Sequence, residues 1–364
     1  MLYRLLTTTD RTSFDPCVFS LASAGSVAAK IQQLGVPVRA LGMTRGVPNP
    51  LPLLRLAWLL REAKIDLVQT WMYHADLLGG LAAKLTSTPV VWGIHNSTLD
   101  RATTKLSTLW TVKACARLSG WVPDGIVCCA ESSRRAHAAA GYCSERMTVI
   151  LNGFDVTQLK PDAGARRSVR EELHLPADTK LIGLVARFHP QKDHHNFALA
   201  AARLLTKHPD THFLLCGLGI DSANDHLCGW IRESGAADHF HLLGPRDDIP
   251  RLTAALDLAT TAGAEAFPLV IGEAMACGVP CVVTDIGDSA FLVGDTGLVV
   301  PPKNPAELAR AWAAILDMEL EPRTALGLAA RRRIQENFAL PLIARRYQDL
   351  HEEIVTNVRS RRLH

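Results

Sequence analysis

Glu265 and Glu273, with seven residues between them, frame the stretch 260–285, TTAGAEAFPLVIGEAMACGVPCVVTD. The pattern predicts loop, helix, turn and strand. Pro268 suits a first helical position, 269–277 continue the helix, Gly278 suits its C-terminal cap, and Pro280 leads into the apolar strand 281–283. Glu265 then lies on the loop ahead of the helix and Glu273 inside its early turns. One carboxylate can face a ligand at the helix N-terminus while the other flanks it, and that terminus favours an anion such as a diphosphate.

Two glutamates at this spacing are common on solvated helices, but the whole string with its strand behind it is more specific. Glu265, Glu273 and the following Ala-Met-Ala-Cys-Gly-Val-Pro resemble the donor-site signature of retaining GT-B glycosyltransferases of the family-4 type, and the resemblance extends over nearly the whole chain. It implies two Rossmann-like α/β domains facing a cleft. It also implies transfer of a sugar from a nucleoside diphosphate donor, with retention, without a metal and without a cofactor.

Composition fits that picture. The 364 residues suit two domains, and 48% hydrophobic content allows each a core. No apolar run reaches the roughly 18 residues of a membrane span, and the N-terminus lacks the layout of a signal peptide. Nine cysteines without paired metal-ligand spacings indicate neither a disulfide framework nor a zinc site, which favours a reducing cytoplasm. A formal charge of +3 does not argue for nucleic acid. The basic clusters 331–333 and 359–362 read as solvated helix ends or, as a lesser reading, as a peripheral contact with anionic lipid at the inner face of the membrane.

Strand-like and helix-like segments alternate throughout, as in doubly wound α/β domains. The expected first domain is 1–162, completed by a C-terminal helix within 340–357, and the expected second is 163–339, with a linker in the polar stretch 160–172. A proline-bearing loop is expected ahead of Leu51. The chain opens on Met1-Leu-Tyr-Arg-Leu-Leu, which reads as helix with no strand before it. Relatives, the resemblance implies, begin with a strand and a glycine-rich loop. The first strand of the N-terminal domain is therefore expected to be missing, through an internal start or a truncated gene.

The remaining candidates lie at strand ends. Arg187 and Lys192 follow strand 181–186 on a loop into a helix. Two fixed cations there can stabilise charge on a departing diphosphate, as the resemblance implies, or simply be solvated. Gly217 would let the backbone approach the nucleotide, and Arg246 to Ile249 match the loop that meets the base. GxGxxG and Walker sequences are absent, which argues against dinucleotide dehydrogenases and kinases. Glu273 is the expected partner of the ribose hydroxyls, and Glu265 of the transferred sugar. Phe267 and Pro268 stand where many relatives have glycine and are expected to narrow the sugar pocket. The amides of 267–270, Leu269 and Val270 among them, serve the phosphates, except that Pro268 has no N–H.

His95 matches a family histidine near the donor sugar, or is structural. In the string 71–76, which resembles a bacterial polysaccharide-related subgroup, His74 and Asp76 could bind acceptor hydroxyls while Trp71 and Tyr73 pack. Asn152 with Gly153 resembles a hinge motif beside the cleft, or is a plain turn. Cys277 reads as small-residue packing. The expected acceptor is a glycan or lipid-linked glycan. The rival readings are a GT-B nucleotide-sugar 2-epimerase and a truncated chain that binds nucleotide without turnover.

Overall fold

A computed structural model describes residues 1–43, 51–97, 99 and 104–363. The proline-bearing loop expected before Leu51 lies outside them. The chain divides into two units, Met1–Gly153 with Leu340–His364, and Phe154–Ala339. The first unit opens with α1 (Leu2–Thr8), β1 (Val18–Ser20), α2 (Gly25–Gln33), β2 (Val38–Ala40), α3 (Leu51–Glu62) and β3 (Val68–Gln69). It continues through α4 (Tyr73–Thr86), β4 (Val90–Ile94), α5 (Leu106–Leu118), β5 (Gly125–Cys128), α6 (Glu131–Ala139) and β6 (Met147–Val149).

The second unit begins α7 (Ala163–Glu172), β7 (Lys180–Val185), α8 (His194–Leu205), β8 (Thr211–Cys216), α9 (Asp225–Glu233), β9 (Phe240–Leu242) and α10 (Ile249–Ala254). It proceeds through β10 (Leu258–Thr260), α11 (Leu269–Ala276), β11 (Cys281–Thr284), α12 (Ser289–Val293) and β12 (Gly297–Val300). Helices α13 (Pro305–Leu316) and α14 (Leu320–Asn337) close it, and α15 (Leu340–Leu363) returns to the first unit.

Among the described residues every strand pairing is parallel, as strands joined by helices require. In the first unit the described strands form two sheets, β1–β2 and β3–β4–β5–β6. Both central strands are buried on both faces, so they read as continuous apolar runs. Trp92, Ile94, Ile126 and Cys128 face Tyr73, Val112 and Cys115. Val91 and Val127, one residue out of phase, pack against Leu5 of α1 and against Ile343, Ala344, Tyr347 and Ile354 of α15. That second face is what holds the last helix to the first unit.

The six strands of the second unit are ordered β9-β8-β7-β10-β11-β12. The chain starts in the middle at β7, builds outward one way, then returns to β10 and builds the other way. The carboxyl ends of β7 and β10 therefore flank a topological switch point, where the loops diverge and leave a crevice. Ile182, Leu184, Phe197, Phe213, Leu258, Val282 and Trp312 fill the core beneath.

The units divide earlier than the expected boundary at 162, and the expected linker is not one. Phe154 is fully buried within the second unit. Residues 163–172 are a helix, capped by Asp162, whose Oδ1 accepts from the Ala165 N–H at 3.0 Å. Arg170 is 2% exposed and donates to Asp257 Oδ2 at 2.7 Å, Thr179 O at 3.0 Å and Ala255 O at 2.9 Å. Asp257 also accepts from Arg166 at 2.9 Å and from the Leu181 N–H at 2.9 Å. The polar composition thus supplies a buried, paired charge that ties α7 to β7 rather than a solvated tether.

Candidate active site

Loop chemistry at the end of β7 explains how Lys192 is held. Pro190 opens a 3₁₀ turn, Pro190–Lys192, for which its fixed φ is suited. Asp193 follows in the left-handed region at φ 50° and caps α8 by accepting from the Asn196 N–H at 3.2 Å. Asn196 is buried, and its Nδ2 donates to Ala262 O at 3.2 Å, joining α8 to the loop after β10.

That second loop carries Glu265 and runs against the first. The Ala264 N–H donates to Gln191 O at 2.6 Å, and a Cβ on Gly263 would lie 2.1 Å from the same oxygen. Thr284 Oγ1 donates to Gly263 O at 2.8 Å. The Asp288 N–H donates to Ala266 O at 3.0 Å, while a Cβ on Gly287 would sit 1.8 Å from Glu265 O. Backbone contacts from three directions therefore fix the Glu265 peptide.

The outcome is an ion pair at the switch point between Lys192 Nζ and Glu265 Oε1. Both side chains are about four-fifths covered, at 17% and 21% exposure. They line a small cavity with Leu184, Ala186, Thr261 and Val270, all within the second unit. A cation and an anion held together here can each exchange partners with a ligand bearing both phosphate and hydroxyl groups.

Helix α11 enters the same cavity through Val270. Pro268 is its N-cap rather than its first helical residue, and its carbonyl accepts from the N–H groups of Ile271 at 3.1 Å and Gly272 at 3.2 Å. The amides of Leu269 and Val270 come earlier than any intrahelical acceptor can serve, as in every helix. Glu273 sits in the second turn at 8% exposure. Phe154 lies against Gly272, where an added Cβ would come within 2.0 Å of its ring.

Phe267 does not narrow a pocket with its ring as expected. It is 4% exposed and stacks on Phe154 and Phe338, with centroids 6.2 and 6.0 Å away, because an aromatic ring gains more from core burial than from a wet loop. Gly217 is also explained differently. At φ 151° its missing Cβ would stand 2.3 Å from Ala186 O, so its smallness lets the β8 end pass the β7 end. Arg187, on that β7 end, is exposed. Arg246 directs its guanidinium to Asp248 at 2.9 Å and Glu172 at 2.7 Å, and Arg251 joins them. These partners hold the Asp248 carboxyl well below the usual range, Arg246 first. The network ties the loop into α10, which begins at Ile249, to Glu172 of α7.

The first unit distributes its candidates differently. His95 follows β4, with its ring stacked 4.7 Å from Trp71, which in turn lies 6.0 Å from Tyr347. Burial pushes its pKa down to about 4, and its Nε2 is covered with no hydrogen-bond partner among the described residues. A neutral imidazole with an unpaired nitrogen retains the capacity to hydrogen-bond a hydroxyl. His74 lies near Thr111 Oγ1, at 3.5 Å on an exposed surface.

Asp76 does not reach a surface. It is fully buried, accepts from Thr70 Oγ1 at 2.6 Å and the Gly93 N–H at 3.3 Å, and has its pKa raised to about 7 by burial. Its carboxyl joins β3 and β4 to the first turn of α4, so direct contact with an acceptor is set aside. Tyr73 packs inside, with its hydroxyl 2.9 Å from His137 Nε2. Asn152 is 6% exposed, and Gly153 permits α15 to approach, since a Cβ there would be 2.9 Å from Leu340 Cα.

The cluster 331–333 is engaged within the fold, whereas 359–361 is a solvated helix end with an exposed ion pair. Arg331 donates to the carbonyls of Leu159 and Ala276, Arg333 to those of Phe291 and Leu292, and Arg359 pairs with Asp66 at 2.7 Å. Cys277 is buried with its thiol pushed up to about 12, a packing residue as expected.

Asn196, Gly263, Thr284 and Gly287 escaped the sequence reading. The Thr-Asp-Ile-Gly run at 284–287, just past a strand end, was the signal available for two of them.

Known proteins resemble this chain in sequence and fold. The family described as "Glycosyl transferases group 1" matches residues 165–333, and "Glycosyltransferase Family 4" matches residues 1–158. The chain is 25% identical over 315 residues to the UDP-Gal:alpha-D-GlcNAc-diphosphoundecaprenol alpha-1,3-galactosyltransferase of Escherichia coli, covering 84% of this chain and 80% of that protein. It is 29% identical over 267 residues to the lipopolysaccharide core biosynthesis mannosyltransferase LpsB of Rhizobium meliloti (strain 1021), covering 69% and 73%. Anabaena Alr3699/HepE, solved in complex with UDP and glucose, has a like fold, with a TM-score of 0.83 at 23% identity over 96% of this chain and 94% of that one.

Proposed function

Because the chain belongs to the GT-B glycosyltransferases of the family-4 type, we propose that it transfers a sugar from a nucleoside diphosphate donor to a glycan or lipid-linked glycan, with retention and without a metal. The observation that carries this reading is the Lys192–Glu265 pair at the switch point, with α11 entering the same cavity. Lys192 and Arg187 face charge that grows on the departing diphosphate, together with the Leu269 and Val270 amides. Glu265 takes hydroxyls of the sugar and Glu273 those of the ribose. The family resemblance assigns His95 to the sugar as well.

In the transfer, the anomeric carbon–oxygen bond to the diphosphate breaks and its electron pair stays on the phosphate oxygen. The acceptor hydroxyl attacks from the same face, and its proton passes to that oxygen. This route needs no protein nucleophile. The names of the two curated relatives, one acting on a diphosphoundecaprenol-linked sugar and one in lipopolysaccharide core synthesis, support a lipid-linked acceptor met at the membrane.

The test is acceptor-dependent release of UDP or GDP, with thermal shift by each nucleotide on the same preparation. Glu265→Ala is expected to cost about 100- to 1000-fold in kcat, the range for loss of one preorganised polar group at a reacting centre. It should weaken nucleotide binding less than Glu273→Ala does. Full transfer by both variants would overturn the assignment, and release of a free epimerised donor without acceptor would replace transfer by epimerisation.

A further inference from the structure

Two arginines and two carboxylates at the start of α10 close on one another in a ring. Arg246 donates from Nη1 to Glu172 Oε1 at 2.7 Å, and from Nε and Nη2 to the two oxygens of Asp248, each at 2.9 Å. Arg251 donates from Nε to Asp248 Oδ2 at 2.8 Å and pairs with the other oxygen of Glu172. Each guanidinium thus meets both carboxylates. Glu172 ends α7, Arg251 lies in α10, and Ser168 Oγ accepts from Arg251 Nη1 at 3.0 Å. The four charged side chains are between 28% and 35% exposed. A single surface pair contributes little, but a closed set of planar, partly two-pronged contacts fixes geometry.

What the ring fixes is one end of the segment 244–248. The other end is tied to the end of β8: the Gly244 N–H donates to Ile220 O at 2.7 Å, and Gly244 O accepts from the Gly217 N–H at 2.9 Å. Gly217 lies close against Ala186 O at the end of β7, and the Phe188 N–H donates to Leu218 O at 2.8 Å. Backbone contacts therefore run without a break from the loop that bears Lys192, past the ends of β7 and β8, to the segment after β9. The carboxyl ends of β8 and β9 stand about 5 and 10 Å from that of β7. They lie on the opposite side of β7 from β10 and the Glu265 loop. A nucleoside diphosphate with its sugar toward Glu265 and its phosphates at Lys192 has these ends left for its nucleoside.

We propose that Glu172 and Arg251 are positioning residues for the donor's base: the ring holds the segment 244–248 where its backbone groups can hydrogen-bond a base, and so discriminate between bases. The inference rests on the nucleoside diphosphate reading above. Neither residue need touch the donor. The four charges are engaged with one another and sum to zero, so the ring's effect falls on the base and not on the diphosphate.

The experiment measures binding of UDP, GDP and inorganic diphosphate to the full chain by titration calorimetry, with KM and kcat for the sugar nucleotide that is turned over. In the wild type one nucleoside diphosphate should bind more tightly than the other. Glu172→Ala should weaken that nucleotide roughly tenfold, bring the two closer in affinity and raise donor KM in step, with kcat and the affinity for inorganic diphosphate unchanged. Arg251→Met tests the ring from its other side and should give the same pattern. The double variant should be no worse than either, since each change opens the same ring. Ser168→Ala, which touches Arg251 outside the ring, should behave as the wild type does. Melting temperatures of every variant separate these effects from misfolding. Wild-type discrimination between UDP and GDP in the Glu172 and Arg251 variants would overturn the inference and leave the transferase reading intact. So would equal weakening of nucleotide and inorganic diphosphate, or equal binding of both nucleotides by the wild type. A wild type that binds neither nucleotide would overturn both.

Discussion

Gly25 in the first unit and Gly287 in the second have nearly the same backbone, φ 65° and 64°, and opposite surroundings. A Cβ on Gly25 meets nothing within 4 Å, whereas one on Gly287 would strike Glu265 O at 1.8 Å. The contrast extends to the site residues. In the second unit, Lys192, Glu265 and the start of α11 line one cavity, and their loops lock one another through Gly263, Thr284 and Gly287. In the first unit His74 is exposed and Asp76 is sealed in the core. A site for a charged ligand is built from preset backbone, because amides and ion pairs must be aimed before the ligand arrives.

Paired substitution of the two glycines would break the comparison most directly. Gly287→Ala combines a left-handed conformation with a backbone collision, and should cost about 2–4 kcal/mol in urea unfolding and lower transfer with it. Gly25→Ala carries the conformational penalty alone, about 1 kcal/mol, with transfer unchanged. Equal losses would mean that the loop around Glu265 yields easily and is not prebuilt.

Acid sharpens the contrast between buried groups. His95 and His351 in the first unit and His194 and His241 in the second are each depressed to about 4, burial first. Unfolded histidines bind protons below about pH 6.5, so the stability these four contribute is present above that pH and is lost as pH falls toward 4. Asp76 acts in the opposite sense. Its folded pKa of about 7 lies above the unfolded value of 3.8, so its burial costs least in acid and most above pH 7. Melting temperature should fall between pH 6.5 and 4, and fall more steeply in Asp76→Asn, which lacks the opposing contribution. A shallower slope in that variant would show Asp76 to be ionised in the fold.

The smallest effect concerns the boundary between units. Asp162→Ala removes the α7 cap and should cost about 1 kcal/mol, with KM for the donor unaltered. A raised KM would tie the first turn of α7 to the donor loops as well as Glu172 at its end.

Much of the fold was legible because period and punctuation are local. Pro268, Gly278 and Pro280 bracket α11, and the alternation of apolar runs marks nearly every strand of the six-stranded sheet. α7 was misread because charge density was equated with exposure, and only the distant Asp257 reveals that Arg170 is buried. Phe267 and Asp76 were misread for a related reason. A residue type near a strand end suggests contact with a ligand, but the direction of the side chain depends on Phe154 and Phe338 in one case and on Thr70 and Gly93 in the other.

The sequence by itself determined the parallel α/β class, the Glu265–Glu273 spacing and the cations at 187 and 192, since each is a matter of residue type and short-range order. Tertiary structure alone decided that Lys192 meets Glu265 across 73 positions, and that Gly217 and Gly263 serve loop against loop. It also decided that α15 belongs with β4 and β5. Such contacts depend on how strands are ordered in a sheet, and parallel strands acquire their neighbours through crossovers whose order is set by the burial of whole faces rather than by adjacency in the chain.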